Sequence, residues 1–330
     1  MIKALFLGNN PGAIERVYAR GRYEQVAAAT DLYPTIVSQA GFAEHAENLA
    51  DVRVAFGTWG FPALSAEDLD RLPNLEVVFY GAGSVQGFAR SFLERGITVV
   101  SAWAANAVPV AEFTLAQILL ATKGYFANTL QLHSPEDWRN GYRGPGNYGE
   151  TVAILGLGMI GRLVVGLLEP FQLDVVVRSS HMTAEEAEEL GVRQVTFEEA
   201  FSTALVVSNH LANRPHTVGQ LNYRLFAAMR PHGVFINTGR GAQVVEEDMI
   251  RALRERPDLT ALLDVTYPEP PEPGSPLYTL PNAWLSSHIA GSIGDEVVRM
   301  ADYVISEFAA WRDGKPLQYA VSLDMLDSMA

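Results

Sequence analysis

The segment Gly156-Leu157-Gly158-Met159-Ile160-Gly161 lies between an apolar strand-like run, Thr151–Leu155, and an apolar helical run, Arg162–Leu168. A strand that turns straight into a helix through three glycines at this spacing has few folds open to it. Gly156 allows the tight turn, Gly158 lets a pyrophosphate approach the backbone, and Gly161 permits close helix–strand packing. Met159 and Ile160 then stand at a helix start, where unpaired N–H groups and a partial positive charge favour phosphate. Glycine triplets alone arise by chance in loops. The strand before and the helix after make this one specific for a dinucleotide.

Around it the chain alternates short β-rich runs with helical stretches, the pattern of a parallel α/β sheet. Ala4–Leu7, Val52–Phe56, Leu75–Tyr80 and Ile97–Val100 read as strands, with helical spacing over Ala13–Ala29, Ser65–Leu72 and Val85–Arg95. Asn106 and Pro109 then open an apolar helix, read as a buried connector, and residues 134–150, rich in Gly, Pro, Tyr and Trp, read as a long loop. Six further strands begin at Thr151, Val175, Ala204, Val234, Leu259 and Ala283, a six-strand dinucleotide-binding pattern. At 330 residues two domains are expected. The division is discontinuous: 1–103 plus 291–330 for one lobe, 104–290 for the other.

Charge and composition exclude several classes. A formal charge of −14 makes nucleic acid and anionic membranes poor partners, and any anionic ligand must meet a local positive site. With no cysteine there is no thiolate metal site or Cys nucleophile, and the histidines form no metal-ligand cluster. The N-terminus reads as a first strand rather than a signal peptide, which fits a cytoplasmic protein.

The second half of the dinucleotide fingerprint departs from the NAD pattern. Roughly 20 residues on, an acid should hold the adenosine ribose. Arg178-Ser179-Ser180 stands there instead, and a guanidinium with two hydroxyls suits a 2′-phosphate. NADP is therefore favoured over NAD, with Arg178 in solvent and NAD bound as the alternative.

Three segments follow, each just after an apolar strand: Asn237-Thr238-Gly239-Arg240-Gly241, Asp264-Val265-Thr266-Tyr267-Pro268-Glu269-Pro270 and Ser287-His288-Ile289-Ala290-Gly291. A fixed cation, a carboxylate and an imidazole beside a nicotinamide are what reduction of a 2-oxo acid needs. With the glycine loop, these segments make the chain resemble the D-isomer-specific 2-hydroxyacid dehydrogenases over nearly its whole length. Gly239, where that family carries Ala or Ser, is a mild departure. The resemblance implies two doubly wound parallel-sheet domains, a Rossmann dinucleotide-binding domain and a flavodoxin-like substrate domain.

It also implies roles. Arg240 would grip the substrate carboxylate and carbonyl oxygen, His288 would deliver the proton, and Glu269 would orient and charge His288. Thr238, Asp264, Gly291 and the mostly structural His210 would lie at the cofactor, Asp264 accepting from the nicotinamide amide. Backbone N–H groups of Gly81-Ala82-Gly83-Ser84 would meet the substrate carboxylate as an anion nest, a plain strand-to-helix turn being the alternative. Trp59 and Phe61 are candidate cleft walls, with core packing equally open. Asn106 is an N-cap, a hinge or a polar wall of the site. Such chains pair as two-fold homodimers, for which the aromatic loop Trp138–Tyr148 and the connector helix offer surface. A glyoxylate- or hydroxypyruvate-type reductase is the leading activity. A formate or phosphite oxidiser is disfavoured, since formate dehydrogenases carry Gln at the position of Glu269. A dinucleotide-sensing corepressor is the rival from another class.

Overall fold

The computed structural model describes residues 1–326, and the chain divides into two compact units. One comprises Met1–Asn106 with the residues from Ser292 onward, and the other Ala107–Gly291.

In the first unit, strands β1 (Lys3–Phe6), β2 (Asp31–Leu32), β3 (Val54–Gly57), β4 (Val77–Tyr80) and β5 (Thr98–Ser101) are parallel in the order 2-1-3-4-5, with Ala320–Val321 antiparallel on the β5 edge. This is the flavodoxin-like order with one added edge strand. β3 and β4 are buried at every residue, as a parallel sheet covered on both faces requires. Phe56 and Phe79 from these strands pack on Phe308 of the returning helix Val298–Arg312. The helical stretch expected over 13–29 is instead two helices, Pro11–Val17 and Arg22–Ala29, interrupted where Arg20 and Gly21 take positive φ.

The second unit holds β6 (Tyr148–Leu155), β7 (Gln172–Arg178), β8 (Arg193–Gln194), β9 (Val206–Asn209), β10 (Val234–Asn237), β11 (Thr260–Leu263) and β12 (Ala283–Leu285). All are parallel, in the order 12-11-10-9-6-7-8. This is the dinucleotide-binding topology, with its switch point between β6 and β9, where ligands bind outside the carboxyl ends of strands. The six expected strands become seven: β8 is two exposed polar residues, which carry no apolar signal. Gly156, His210, Thr238 and Asp264 directly follow β6, β9, β10 and β11, and so share one sheet edge.

Two expectations need correction. The connector helix spans Trp103–Thr122, so Asn106 is its fourth residue and not an N-cap, and Pro109 lies inside it rather than in its first turn. Asn106 instead accepts from the Ser292 N–H at 3.0 Å, a contact within the first unit. The helix is long and apolar enough to cross a bilayer by length and composition, and about half of it is buried inside the protein, with Glu112 and Leu120 exposed. The presumed loop 134–150 contains a helix, Pro135–Asn140, capped by Ser134.

Candidate active site

Each glycine of the loop has the property its place demands. Gly156 has φ +94, and a Cβ there would lie 2.6 Å from the His210 carbonyl oxygen. A Cβ on Gly161 would lie 2.1 Å from the Gly156 carbonyl oxygen. Gly158 has nothing within 4 Å of its Cβ position, so the space where a pyrophosphate would approach is open. It stands at the N-cap of the helix Met159–Leu168, and Met159 is exposed there. These residues fit a dinucleotide.

Arg178 ends β7, and its carbonyl accepts the Gly156 N–H at 2.8 Å. Its guanidinium lies 4.7 Å above the Phe197 ring centroid rather than free in solvent. Ser179 is buried; its hydroxyl accepts from the His181 N–H and its carbonyl from Gln194, while Ser180 is exposed.

A buried amide network, invisible in the sequence motifs, holds the Arg240 turn. Asn209 donates to Asn237 Oδ1 at 3.0 Å and to Gln243 Oε1 at 2.6 Å. The same two oxygens accept the backbone N–H groups of Gly239 and Arg240. The signal was present only as polar residues at the ends of apolar strands. Arg240 itself is half-buried and donates to the Gly239 carbonyl at 2.7 Å. Burial pushes its guanidinium below the ordinary value and the Glu269 charge pulls it back up; a guanidinium stays cationic at neutral pH.

His288 Nδ1 and Glu269 Oε1 are 2.6 Å apart, with the side chains 48% and 42% exposed. The bond occupies one ring nitrogen and leaves Nε2 for a reacting group. His288 takes a left-handed backbone, φ +56, rare outside glycine and concentrated at functional sites. Asp264 is what holds it so. Its carbonyl accepts the His288 N–H, Oδ1 accepts from Ser286 Oγ and the Ile289 N–H, and Oδ2 accepts from the Ala290 N–H. Expected at the nicotinamide amide, this buried carboxylate also builds the turn from Ser286 to Gly291, a role the sequence did not reveal.

His210 is buried, its Nε2 2.8 Å from Ser208 Oγ and its Nδ1 3.3 Å from Thr238 Oγ1, which in turn faces Thr114 Oγ1. Burial pushes its imidazole down to about 3. It is a neutral core group beneath the sheet edge.

In the first unit the turn after β4 is built by Ser101, whose hydroxyl donates to the carbonyls of Ala82 and Gly83. In a trans peptide the N–H opposes the C=O, so the Gly83 and Ser84 N–H groups point the other way. The Gly81 N–H, expected in the nest, is bonded to the Gly57 carbonyl at 2.8 Å and drops out of it. Phe61 is core, packed on Tyr80, Phe88 and Phe92, whereas Trp59 is 38% exposed.

Residues 115–290 match the model of the D-isomer specific 2-hydroxyacid dehydrogenase NAD-binding domain. The chain is 25% identical to a D-3-phosphoglycerate dehydrogenase of Archaeoglobus fulgidus, over 80% of this chain and 50% of that protein. To the Methanocaldococcus jannaschii D-3-phosphoglycerate dehydrogenase it is 31% identical over 65% of this chain and 41% of that one. It thus spans about half the length of the curated relatives it matches. The apo structure of Rhodotorula graminis D-mandelate dehydrogenase shares the fold, with a TM-score of 0.81 over 97% of both chains at 19% identity. A glycine loop with room for a pyrophosphate, a sheet order with its switch point beside that loop, and a family model covering more than half of the sequence converge: this chain belongs to the D-isomer-specific 2-hydroxyacid dehydrogenase family.

Proposed function

We propose that the protein is an NAD(P)-dependent reductase of 2-oxo acids, forming D-2-hydroxy acids. The observation that carries this is the 2.6 Å His288–Glu269 bond on the same sheet edge as Arg240, whose charge is coupled to Glu269. Arg240 binds the substrate carboxylate as a planar fork and stabilises the alkoxide that develops on the carbonyl oxygen. Glu269 fixes the His288 ring through Nδ1. His288 delivers the proton on Nε2 to that oxygen. The bound cofactor supplies the hydride to the substrate C2. Gly156, Gly158, Met159, Ile160 and Gly161 hold its pyrophosphate; Thr238, His210, Asp264 and Gly291 border the nicotinamide. Gly83 and Ser84 N–H groups, with Ala82, Trp59 and Asn106, are the substrate-side candidates.

NADP is the favoured cofactor. No acid stands at the ribose position, and Arg178 has a guanidinium anchored by Phe197 beside Ser179 and Ser180. The substrate reading is of the glyoxylate or hydroxypyruvate type, and the similarity to D-3-phosphoglycerate dehydrogenases adds 3-phosphoglycerate and its 2-oxo partner to the candidates. A cytoplasmic homodimer without nucleic-acid or membrane partners completes the reading, with exposed Trp138 and Tyr148 as contact surface. The test is oxidation of NADPH and NADH with glyoxylate, hydroxypyruvate, its phosphorylated form and larger alkyl and aryl 2-oxo acids. Turnover with at least one is expected; none, from folded and cofactor-bound protein, overturns the proposal. A light-scattering mass near one chain at micromolar concentration refutes the dimer.

A further inference from the structure

Side-chain amides hold both backbone polar groups of Arg240. Its N–H donates to Gln243 Oε1 at 3.3 Å, and its carbonyl accepts from Asn237 Nδ2 at 3.3 Å. The guanidinium rests on the same turn: Nη1 donates to the Gly239 carbonyl at 2.7 Å, and the Gly239 N–H donates to Asn237 Oδ1 at 3.1 Å. Gln243 is the member that ties this turn to another segment. It is completely buried, and its Nε2 donates to the carbonyls of Leu211 at 2.7 Å and Ala212 at 3.0 Å, just beyond β9. Its Oε1 accepts from Asn209 Nδ2 at 2.6 Å as well as from Arg240. Both amide hydrogens and both lone pairs of the oxygen are thus used, which a carboxylate or an apolar side chain of this size cannot match. The turn has no slack. A Cβ on Gly239 would lie 3.0 Å from Asn209 Nδ2 and 3.1 Å from Gln243 Oε1. At this position, where the resembled family carries Ala or Ser, the glycine leaves room for the Asn209–Gln243 bond.

We propose that Gln243 is a positioning residue: it bridges the Arg240 turn to the Leu211–Ala212 segment and so sets where the guanidinium meets the substrate carboxylate. This rests on the dehydrogenase reading above. The competing role is plain stability, since any buried amide that satisfies backbone carbonyls helps to hold a fold together. Asn282 serves as the control for that role. It is buried in the same unit and donates to the carbonyls of Leu253 and Leu259, each at 3.0 Å, and these bonds lie outside the Arg240 turn.

The experiment compares Gln243→Ala, Gln243→Asn and Asn282→Ala, and combines Gln243→Ala with Arg240→Lys. It measures KM and kcat with a 2-oxo acid that the wild type reduces, cofactor affinity, thermal unfolding, and hydrogen exchange at the Arg240 amide in cofactor-free protein. Gln243→Ala should lower kcat/KM on the order of 10-fold, since misplacement of about 1 Å can cost as much as 10²-fold. The loss should fall on the 2-oxo acid rather than on cofactor affinity, with faster exchange at the Arg240 amide. In Arg240→Lys, which has already lost the two-point grip, the same change should cost much less. Asn282→Ala should lower stability and leave kcat/KM unchanged. Should Gln243→Ala not fold, Gln243→Asn keeps the amide but is one carbon too short to reach both sides, and the same losses are expected of it. Lowered stability with wild-type kcat/KM and wild-type Arg240 exchange overturns the proposal, and so do losses that simply multiply with those of Arg240→Lys. Failure of the wild type to reduce any 2-oxo acid instead overturns the catalytic reading, and the Arg240 exchange judges Gln243 independently of it.

Discussion

His210 gives the dinucleotide unit a measurable sensitivity to acid. The ring is enclosed, and its folded-state value of about 3 lies well below the 6.5 of an unperturbed histidine. The unfolded chain therefore takes up a proton at a pH where the folded one does not, and stability must fall as pH drops below about 6.5. At pH 5 the unfolded histidine is almost fully protonated, and the single-site linkage expression gives a loss of about 2 kcal/mol relative to pH 7. The result hardly depends on whether the folded value is 3 or 4, because neither form is protonated at pH 5 when folded. Above pH 7.5 the contribution vanishes. Acidic groups titrate in the same range, so the assay is a difference. Urea unfolding of the wild type and of His210→Gln is compared at pH 7 and pH 5. Gln retains hydrogen-bonding capacity toward Ser208 and Thr238 and has no titration. Whatever the substitution costs at pH 7 cancels from the comparison. The wild type should lose about 2 kcal/mol more than the variant. Equal losses would show that His210 is protonated or solvated in the folded state, and the enclosure argument would be wrong.

His288→Ala removes the proposed proton donor and should lower turnover roughly 10²–10⁴-fold with cofactor affinity intact; a near-normal rate counts against its role. Arg240→Lys should weaken both substrate binding and turnover, since a point charge cannot reproduce a two-point grip, and unchanged steady-state kinetics would refute that. Gly161→Ala places a methyl 2.1 Å from the Gly156 carbonyl oxygen and should cost both stability and dinucleotide affinity. Gly166→Ala in the same helix meets nothing within 4 Å and should be neutral or stabilising by ~0.5–1 kcal/mol; calorimetry and cofactor titration separate the two. Arg178→Ala should weaken NADPH binding roughly 10–100-fold and spare NADH, the worth of a charge-assisted bond of ~1.5–3 kcal/mol. Equal affinities for both cofactors in wild type and variant would mean that no phosphate cradle exists.

The family and both sheet types were legible in the chain because their signals are local. Apolar runs such as Val234–Asn237 must be buried strands, and a glycine triplet between a strand and a helix allows one turn geometry. Arg240, Glu269 and His288 were legible for the same reason, each lying a few residues past such a run. The short edge strands Asp31–Leu32 and Arg193–Gln194 were not, since they pair through backbone bonds that no side-chain pattern announces. Nor could composition separate Phe61 from Trp59, two aromatics in one loop of which one packs on Phe88 and the other stays exposed. The start of the long helix at Trp103 was hidden because Asn106 and Pro109 look like a helix entry, and only the Ser292 N–H explains what Asn106 does there. Sequence alone thus determined the apolar strands of both sheets and which residues stand just beyond their carboxyl ends. Tertiary structure decided the partners: Asp264 with the His288 turn, and the amides with the Arg240 turn. Those contacts join residues remote along the chain, and their energies exist only once the sheet has set its strands side by side.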